Sequence, residues 1–331
     1  MRANIYTDLA VELHDLVKEE KGRQQEAYEI KGVKLSVTHL TDEIEITNVE
    51  VLSEEGANEI GKPIGTYITV ESSALRENDP DAHEEIAKEL AKQLGDMHHL
   101  KDDGSALIVG LGNWNVTPDA LGPKVVGKVL VTRHIPRELL PEDLGGMRFT
   151  SAIAPGVMGL TGMETAEVIK GIVDKTKPDV IIAIDALASR STSRINATIQ
   201  MSNTGVSPGT GMGNKRKQIT QETMGVPVIA IGVPTVVDAA TLVNDTIEKV
   251  INDMASYSET GSDFYEMLEN LGHENRYPVI KDLLGSYQEN MFVTPKEVDA
   301  VVDRLSGLIA NSINMALHPG ISSEDMNRYL Y

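Results

Sequence analysis

The stretch that decides the fold is SALIVGLGNWNVTPDALGPK, residues 105–124, in which a short apolar run precedes a turn with one carboxylate. The apolar run, residues 106–111, is shorter than an ordinary helix, and glycine, asparagine and proline follow it. These features favour a buried parallel strand that ends in a loop. We therefore expect Asp119 to lie just beyond the carboxyl end of that strand.

A second unit repeats this arrangement. Residues 178–184 (PDVIIAI) form another apolar run, and Asp185 follows directly. The preceding helix is predicted to begin with a capping box, Thr161 to Glu164, so the order strand, helix, strand indicates a right-handed parallel crossover. Catalytic groups gather at the carboxyl ends of strands in open α/β sheets, which makes Asp119 and Asp185 a candidate acid/base pair. Each aspartate alone is equally well explained as a helix cap or turn residue.

Hydrophobic periodicity assigns the remaining elements. It predicts strands at 33–38, 44–52, 65–70, 195–201 and 226–233, and helices at 9–20, 81–94, 125–131, 243–254 and, after a second capping box at 294–297, 298–309. The sequence contains no repeat and no linker, so we expect one α/β domain. Its fold class is a twisted, mostly parallel sheet flanked by helices, with added peripheral strands and helices.

Composition excludes several kinds of function. The 331 residues include 30 basic and 50 acidic side chains, and the net charge of −20 argues against binding to nucleic acids or anionic membranes. Cysteine is absent, which excludes disulfides, thiolate nucleophiles and cysteine-ligated zinc. The amino terminus does not resemble a signal peptide, and no run approaches ~20 apolar residues. We therefore expect an intracellular protein with no membrane partner.

A glycine-rich loop, residues 205–213, leads into a basic cluster that includes Lys215 and Arg216. The loop does not match a phosphate-binding Walker motif, because Asn214 stands where the second glycine belongs and no Ser or Thr follows Lys215. Lys215 and Arg216 are candidate substrate-binding residues, although a solvated surface turn explains them as well. An alternative function from this loop is a non-enzymatic α/β module that binds a small anion.

Other hydrolytic mechanisms are less well supported. A GxSxG elbow is absent, which weakens a serine triad. Two aspartates and a histidine can hold a divalent cation that activates water, and His134 is the nearest candidate ligand in sequence. No HExxH pair is present, however, and a single histidine in a turn is more often structural. We therefore expect no metal and no cofactor, and keep metal-assisted hydrolysis as an alternative.

Long blocks of the chain closely resemble the germination proteases of spore-forming bacteria. The resemblance runs in order from Thr7 to about His318 and is carried by NWNVTPDALGPK (113–124), APGVMGLTGMET (154–165), IIAIDALASR (181–190), INATIQ (195–200), GNKRK (213–217), GVPVIAIGVPTVVDA (225–239) and MFVTPKEVD (291–299). It implies an endopeptidase that initiates degradation of small acid-soluble spore proteins during germination. The family's proposed catalytic aspartates match Asp119 and Asp185.

The resemblance also implies activation, assembly and location. Family members are made as inactive precursors that remove a short propeptide, and they cut spore proteins after an acidic residue followed by a large apolar residue, alanine and, two places on, glutamate. TDLAVEL, residues 7–13, shows this order, which implies a cut between Asp8 and Leu9, a propeptide of residues 1–8 and a peptidase domain of residues 9–331. A homotetramer in the cytoplasm of the forespore or spore core is implied as well.

The family's fold is similar to that of hydrogenase maturation endopeptidases, whose corresponding acidic pair binds nickel in the partner substrate. This similarity keeps the metal-assisted alternative open. The simplest structural reading of Thr7 and Asp8 is a cap for the helix that starts at Leu9, and this reading is compatible with cleavage at the same place.

Overall fold

The computed structural model describes residues 7–22, 29–135, 147–207, 217–258, 261–273, 277–285 and 291–321. Within these residues, nine strands form one sheet. The strands are β1 (Val33–His39), β2 (Glu45–Val51), β3 (Gly65–Glu71), β4 (Ser105–Gly110), β5 (Phe149–Ile153), β6 (Val180–Ser189), β7 (Thr198–Ser202), β8 (Val228–Asp238) and β9 (Phe292–Val293).

Helices cover both faces of this sheet. They are α1 (Ala10–Gly22), α2 (Glu54–Ile60), α3 (Pro80–His98), α4 (Leu121–Val126), α5 (Met158–Thr161), α6 (Thr165–Thr176), α7 (Gln221–Met224), α8 (Ala239–Ser256), α9 (Asp263–His273), α10 (Tyr277–Gly285) and α11 (Val298–Leu317). No helix in the part of the chain that the structure describes is long and apolar enough to span a lipid bilayer.

The sheet is mixed, so the prediction of a mostly parallel sheet is wrong. The strand order is β1-β2-β3-β7-β8-β6-β4-β5, with β9 paired to β8. Parallel pairing is confined to β5, β4, β6 and β8, whereas β1, β2, β3 and β7 pair antiparallel. The loose polar alternation predicted at residues 33–70 is typical of antiparallel strands with one solvated face. The α/β class is confirmed, and β1, β2 and β3 form one end of the sheet.

The two faces of the sheet bury separate cores. On one face, α3, α4 and α11 cover a large cluster that includes Ile182, Ile184 and Ile231. On the other face, α6 covers a cluster that includes Ile181 and Ala183. Near β2 and β3 on that second face, α1 and α2 bury a further small cluster. Alternating side chains of β6 therefore face opposite cores, which explains its almost unbroken apolar sequence.

Several predicted boundaries are wrong. Strand β6 continues through Asp185 to Ser189, because pairing with β8 extends that far. Helix α4 ends at Val126, where residues 125–131 were expected to be helical. Neither predicted capping box forms: α6 and α11 begin after Glu164 and Glu297, and neither cap residue makes a side-chain cap hydrogen bond. Strands β5 and β6 are parallel as expected, but they flank β4 and do not pair with each other.

A buried basic cluster fixes the end of α11 against β5. Arg148 donates to four carbonyl oxygens, those of Leu100, Lys101, Ala316 and Leu317, at 3.0–3.2 Å. His318, fully buried at the C-cap of α11, places its Nε2 3.4 Å from the Thr150 hydroxyl. Burial, with Arg148 as a further cause, lowers the pKa of His318 from 6.5 to about 4.

This pKa predicts acid sensitivity. The unfolded chain binds a proton at His318 between pH 6.5 and about 4, whereas the folded chain does not, so stability must fall as the pH is lowered through this window. The loss is roughly 2–3 kcal/mol between pH 7 and pH 4.5. Urea unfolding of wild type and His318→Gln at both pH values measures it. The variant should lose this share of the pH dependence, and an unchanged pH dependence would contradict the prediction.

Candidate active site

Asp119 ends a short helical turn, Thr117–Asp119, in the loop after β4. Its N–H donates to the carbonyl oxygen of Val116 at 2.8 Å, and its own carbonyl accepts from the N–H of Asn113 at 3.0 Å. Gly112 has a φ of 108°, and a Cβ at this position would lie 2.0 Å from the Asp119 carbonyl oxygen. Glycine is therefore required at residue 112 for the loop to place Asp119 as it does.

Asp185 lies within β6, directly after Ile184, the last residue of β6 that pairs with β4, and at the start of the segment of β6 that pairs with β8 alone. Side chains alternate between the two faces of a strand, so Asp185 lies on the same face as Ala183, the face that α6 covers. Its Oδ1 accepts a hydrogen bond from the N–H of Ala186 at 2.9 Å. The residue is half-buried, so its carboxyl group lies at the edge of the core.

Strand pairing brings the two aspartates to the same end of the sheet. In the parallel pair β4 and β6, Gly110 lies opposite Ile184, and the N–H of Leu111 donates to the carbonyl oxygen of Ile184 at 2.8 Å. The turn that ends at Asp119 packs against both β6 and β8. Asp119 lies in the loop that follows Gly110 of β4, and Asp185 directly follows Ile184 of β6, the residue paired with Gly110. Both aspartates are half-buried.

Two threonines tie the Asp119 loop to the sheet. The Thr235 hydroxyl donates to the carbonyl oxygen of Pro118 at 2.7 Å, and the Thr294 hydroxyl donates to the carbonyl oxygen of Thr235 at 2.9 Å. Thr235 is the extra residue where the register between β6 and β8 shifts. Such bulges redirect a strand locally, and this one aims the Thr235 hydroxyl at the loop that carries Asp119.

The amino-terminal residues dock against β6 beyond Asp185. The N–H of Asp8 donates to the carbonyl oxygen of Ala188 at 2.9 Å, and the N–H of Ala188 donates to Asp8 Oδ2 at 2.9 Å. Lys62 Nζ donates to the carbonyl oxygen of Asp8 at 2.7 Å, and the side chain of Leu9 is fully buried. The peptide bond between Asp8 and Leu9 is therefore held on the same strand that carries Asp185.

The surroundings of Asp8 and Lys62 disfavour their charges. Burial raises the pKa of Asp8 above its ordinary 3.8, and the Lys62 charge and the Ala188 N–H partly oppose this rise. Burial lowers the pKa of Lys62, and the Asp8 charge partly opposes this fall. Removing either partner would leave the other charge buried without compensation. The docked segment therefore depends on both residues together.

Gln200 of β7 also binds the docked segment. Gly232 lies opposite Asp185 in one strand pair and opposite Gln200 in the other. Gln200 Oε1 accepts from the N–H of Ala10 at 2.7 Å, and its Nε2 donates to the carbonyl oxygen of Asp8 at 3.4 Å. Because Gln200 and Asp185 lie on the same face of the sheet, residues 8–10 cross that face next to the strand of Asp185.

The remaining predicted site residues are Lys215, Arg216 and His134. Lys215 and Arg216 lie outside the described residues, and the next basic residue, Lys217, donates to Glu167 Oε1 at 2.6 Å. His134 lies in an exposed turn. Within the described ranges, no three His, Asp or Glu side chains form a group that could hold a metal ion.

Sequence reasoning singled out Asp8 and Leu9 but missed the residues that hold them. Lys62 is 54 residues from Asp8 in the chain, and no periodicity or motif connects the two. Ala188 and Gln200 lie within the blocks IIAIDALASR and INATIQ. The resemblance of those blocks to the family marks both segments as important, but it does not indicate which of their residues contact the amino terminus.

Comparison with known proteins identifies the family. The family model described as germination protease matches residues 10–259 and 252–330. A germination protease of Caldanaerobacter subterraneus subsp. tengcongensis is 49% identical over 99% of this chain and 98% of its own length. Germination proteases of Clostridium perfringens and Priestia megaterium are 46% and 41% identical over 99% of this chain, and 99% and 97% of their own lengths are covered. The chain therefore belongs to the germination protease family and is a peptidase.

Proposed function

We propose that this peptidase initiates the degradation of small acid-soluble spore proteins during spore germination, with Asp119 and Asp185 as its acid/base pair. One observation carries the catalytic part: both aspartates follow the last residue pair between the parallel strands β4 and β6, Gly110 with Ile184, and the chain's own Asp8–Leu9 bond is docked on β6. Family membership supports the role in germination. We also propose a homotetramer in the cytoplasm of the forespore or spore core.

Hydrolysis by two carboxyl groups requires that they hold one proton between them. The protonated aspartate donates a hydrogen bond to the carbonyl oxygen of the peptide bond, and the ionised one takes a proton from the attacking water. The water oxygen bonds to the carbonyl carbon. The C–N bond then breaks as the leaving amine takes a proton from the pair, which returns the pair to its starting state.

Such a pair can work near neutral pH. The proposal requires the two carboxyl groups to lie close enough that repulsion between like charges raises the pKa of one of them. The proton belongs to the pair, because coupled groups titrate as a unit. Asp119 and Asp185 are equivalent in this scheme until a substrate distinguishes them.

We further propose that the chain is made as a zymogen that removes its own residues 1–8. The support is the docking of Asp8 on β6, with its carbonyl oxygen bound by Lys62 at 2.7 Å and by Gln200. An extended segment paired with the strand of a catalytic residue occupies space that a substrate peptide needs. Cleavage between Asp8 and Leu9 would release residues 1–8 and free the part of β6 that Asp8 occupies. Residues 9–331 would form the active domain.

A protease assay tests the proposed function. The recombinant chain is incubated with a purified small acid-soluble spore protein, and mass spectrometry identifies the products. We expect cleavage after an acidic residue that precedes a large apolar one. Intact substrate after incubation with processed chain would contradict the proposed substrate.

A metal ion that assists the same aspartates is the competing proposal, based on the expected similarity to hydrogenase maturation endopeptidases. We predict that exhaustive chelation leaves peptide hydrolysis unchanged, since a carboxyl pair supplies both the acid and the base. Initial rates before and after dialysis against a chelator measure this. Activity that disappears and returns with one added cation would move the mechanism to the metal-assisted class.

A further inference from the structure

The docked amino-terminal segment fills a second anion-binding position besides that of Asp8. The carboxylate of Glu12, which is 3% exposed, accepts from the N–H of Arg190 at 2.7 Å and from the N–H of Ser191 at 3.0 Å. Arg194 Nη1 lies 3.5 Å from Glu12 Oε1, and the Thr7 hydroxyl donates to Glu12 Oε2. We call the amides of Arg190 and Ser191 with the Arg194 guanidinium the glutamate pocket.

The glutamate pocket is preformed by residues outside the docked segment. Arg194 Nε donates to Glu71 Oε1 of β3 at 2.7 Å, which fixes the guanidinium from behind. Ser191 also caps the short helical turn Thr192–Arg194 through its side chain. Because these contacts do not involve Glu12, the pocket should keep its shape when another peptide takes the place of the amino terminus.

The pocket and the Asp8 position lie on one continuous path along β6. Asp8 pairs with Ala188 of β6, and Glu12 binds the amides of Arg190 and Ser191, the two residues directly after the end of β6. Between them, Leu9 and Ala10 are fully buried. The path thus accepts an acidic residue, a large apolar residue, a small residue and, after one further residue, a glutamate.

From these contacts we propose that the glutamate pocket is the subsite that reads a glutamate side chain in peptide substrates, four residues after the acidic residue at the cut. The chain's own Glu12 occupies it in this structure, and because Glu12 belongs to the proposed domain of residues 9–331, a substrate must displace the first turn of α1 to reach the pocket. The proposal rests on the proposed function, since it places a substrate on the strand of Asp185. It assigns Arg194 as a specificity-determining residue that contacts the substrate.

The chemistry of the pocket favours glutamate over glutamine. Two backbone N–H groups and a guanidinium are all donors, and a carboxylate offers two acceptor oxygens to them. A glutamine side chain offers one acceptor oxygen and would turn its NH₂ group toward a donor. Hydrogen bonds to charged groups are also stronger than neutral ones.

The test measures peptide binding without cleavage. The probe is a fluorescein-labelled peptide with the sequence of residues 7–13, TDLAVEL, together with a second peptide in which glutamine replaces glutamate. The protein is the full-length chain carrying Asp185→Asn, with and without Glu12→Ala to empty the pocket. Circular dichroism checks folding, and Glu12→Ser, whose side chain is also too short to fill the pocket, takes the place of Glu12→Ala if that variant does not fold.

We expect the emptied protein to bind the glutamate peptide at least about 10-fold more tightly than the glutamine peptide, and more tightly than the protein with Glu12 does. Adding Arg194→Gln should abolish this preference. Arg190→Gln is the matched control: it removes the same charge, but the Arg190 guanidinium lies 3.8 Å from Asp245, and the hydrogen bond from Arg190 to Glu12 comes from its backbone N–H, which the substitution keeps. The control should keep the preference.

Equal affinity for the two peptides in the emptied protein, no binding at all, or a preference that survives Arg194→Gln would each overturn the proposal. The same variants distinguish a failure of the glutamate pocket from a failure of the proposed catalytic role of Asp185. If Asp185→Asn abolishes cleavage but the peptides bind equally, the subsite alone is wrong. If Asp185→Asn leaves cleavage intact while the glutamate preference is found, the catalytic assignment alone is wrong.

Discussion

Replacement of Asp185 by asparagine is expected to lower kcat/KM for peptide hydrolysis by roughly 10²- to 10⁴-fold, with the fold intact. Asparagine has the same size and can still accept the hydrogen bond from the N–H of Ala186. It cannot take up or release a proton, so the shared acid/base function is lost. Asp119→Asn should have an effect of the same order for the same reason. Mass spectrometry of the products and circular dichroism measure activity and folding.

Asp179 provides a matched control at the opposite end of the same strand. Its Oδ2 accepts from the N–H and the hydroxyl of Ser105, each at 2.8 Å, so it is a structural aspartate beside β4 and β6. Asp179→Asn should reduce stability slightly and leave kcat unchanged. Near-normal turnover by folded Asp185→Asn, or an equal loss in Asp179→Asn, would remove the basis for the proposed pair.

The second large effect concerns the amino terminus. Intact-mass spectrometry of the full-length chain, incubated under activating conditions, is expected to show complete loss of residues 1–8. The docked Asp8–Leu9 bond lies on the strand of Asp185, and its carbonyl oxygen is already bound by Lys62 at 2.7 Å. Asp185→Asn should keep the full mass under the same conditions.

Mixing the two proteins distinguishes how the cut is made. Isotope-labelled Asp185→Asn chain is incubated with unlabelled wild type, and the two masses are followed together. Loss of residues 1–8 from the labelled chain would show that one molecule cuts another, whereas retention would show cleavage within a molecule. A wild-type chain that stays at full length and is fully active would contradict the zymogen proposal and leave Thr7 and Asp8 as a helix start.

The parallel half of the fold was predictable because its strands are buried on both faces. The apolar runs before Asp119 and Asp185 identify β4 and β6 without knowledge of their neighbours. The strands of the antiparallel half were predicted but their pairing was not, because the pairing of β3 with β7 joins Tyr67 to Ser202 and depends on the whole fold. No local pattern specifies a partner at that distance.

Element ends were predicted less well for a local reason. The capping-box pattern at Thr161 was expected to start a helix, but Gly162 adopts a φ of 71° and ends the short helix α5 there, so α6 starts three residues later. A glycine in the left-handed region is a typical helix C-cap. The same four residues thus fit a helix start in sequence and form a helix end in the structure.

Site residues that follow a local sequence pattern were predicted, whereas a residue that reaches the site only through the fold was missed. Asp119 and Asp185 were found from strand-end placement, and Asp8 from resemblance. Lys62 was missed because it contributes through the fold, as the residue that binds the Asp8 carbonyl oxygen across 54 positions of chain. Charged residues after a helix are common, and nothing in the sequence around Lys62 marks it as partly buried.

The central claim is that Asp119 and Asp185 act as one catalytic unit, and a double-mutant cycle tests it most directly. Residual kcat/KM is measured for Asp119→Asn, Asp185→Asn and the double variant, with product counted by mass spectrometry over long incubations. Residues that work as a unit are strongly non-additive. If the two aspartates act as one unit, we expect the kcat/KM of the folded double variant to be no lower than that of the slower single variant. Losses that multiply in the double variant would show that the two aspartates act independently and would contradict the claim.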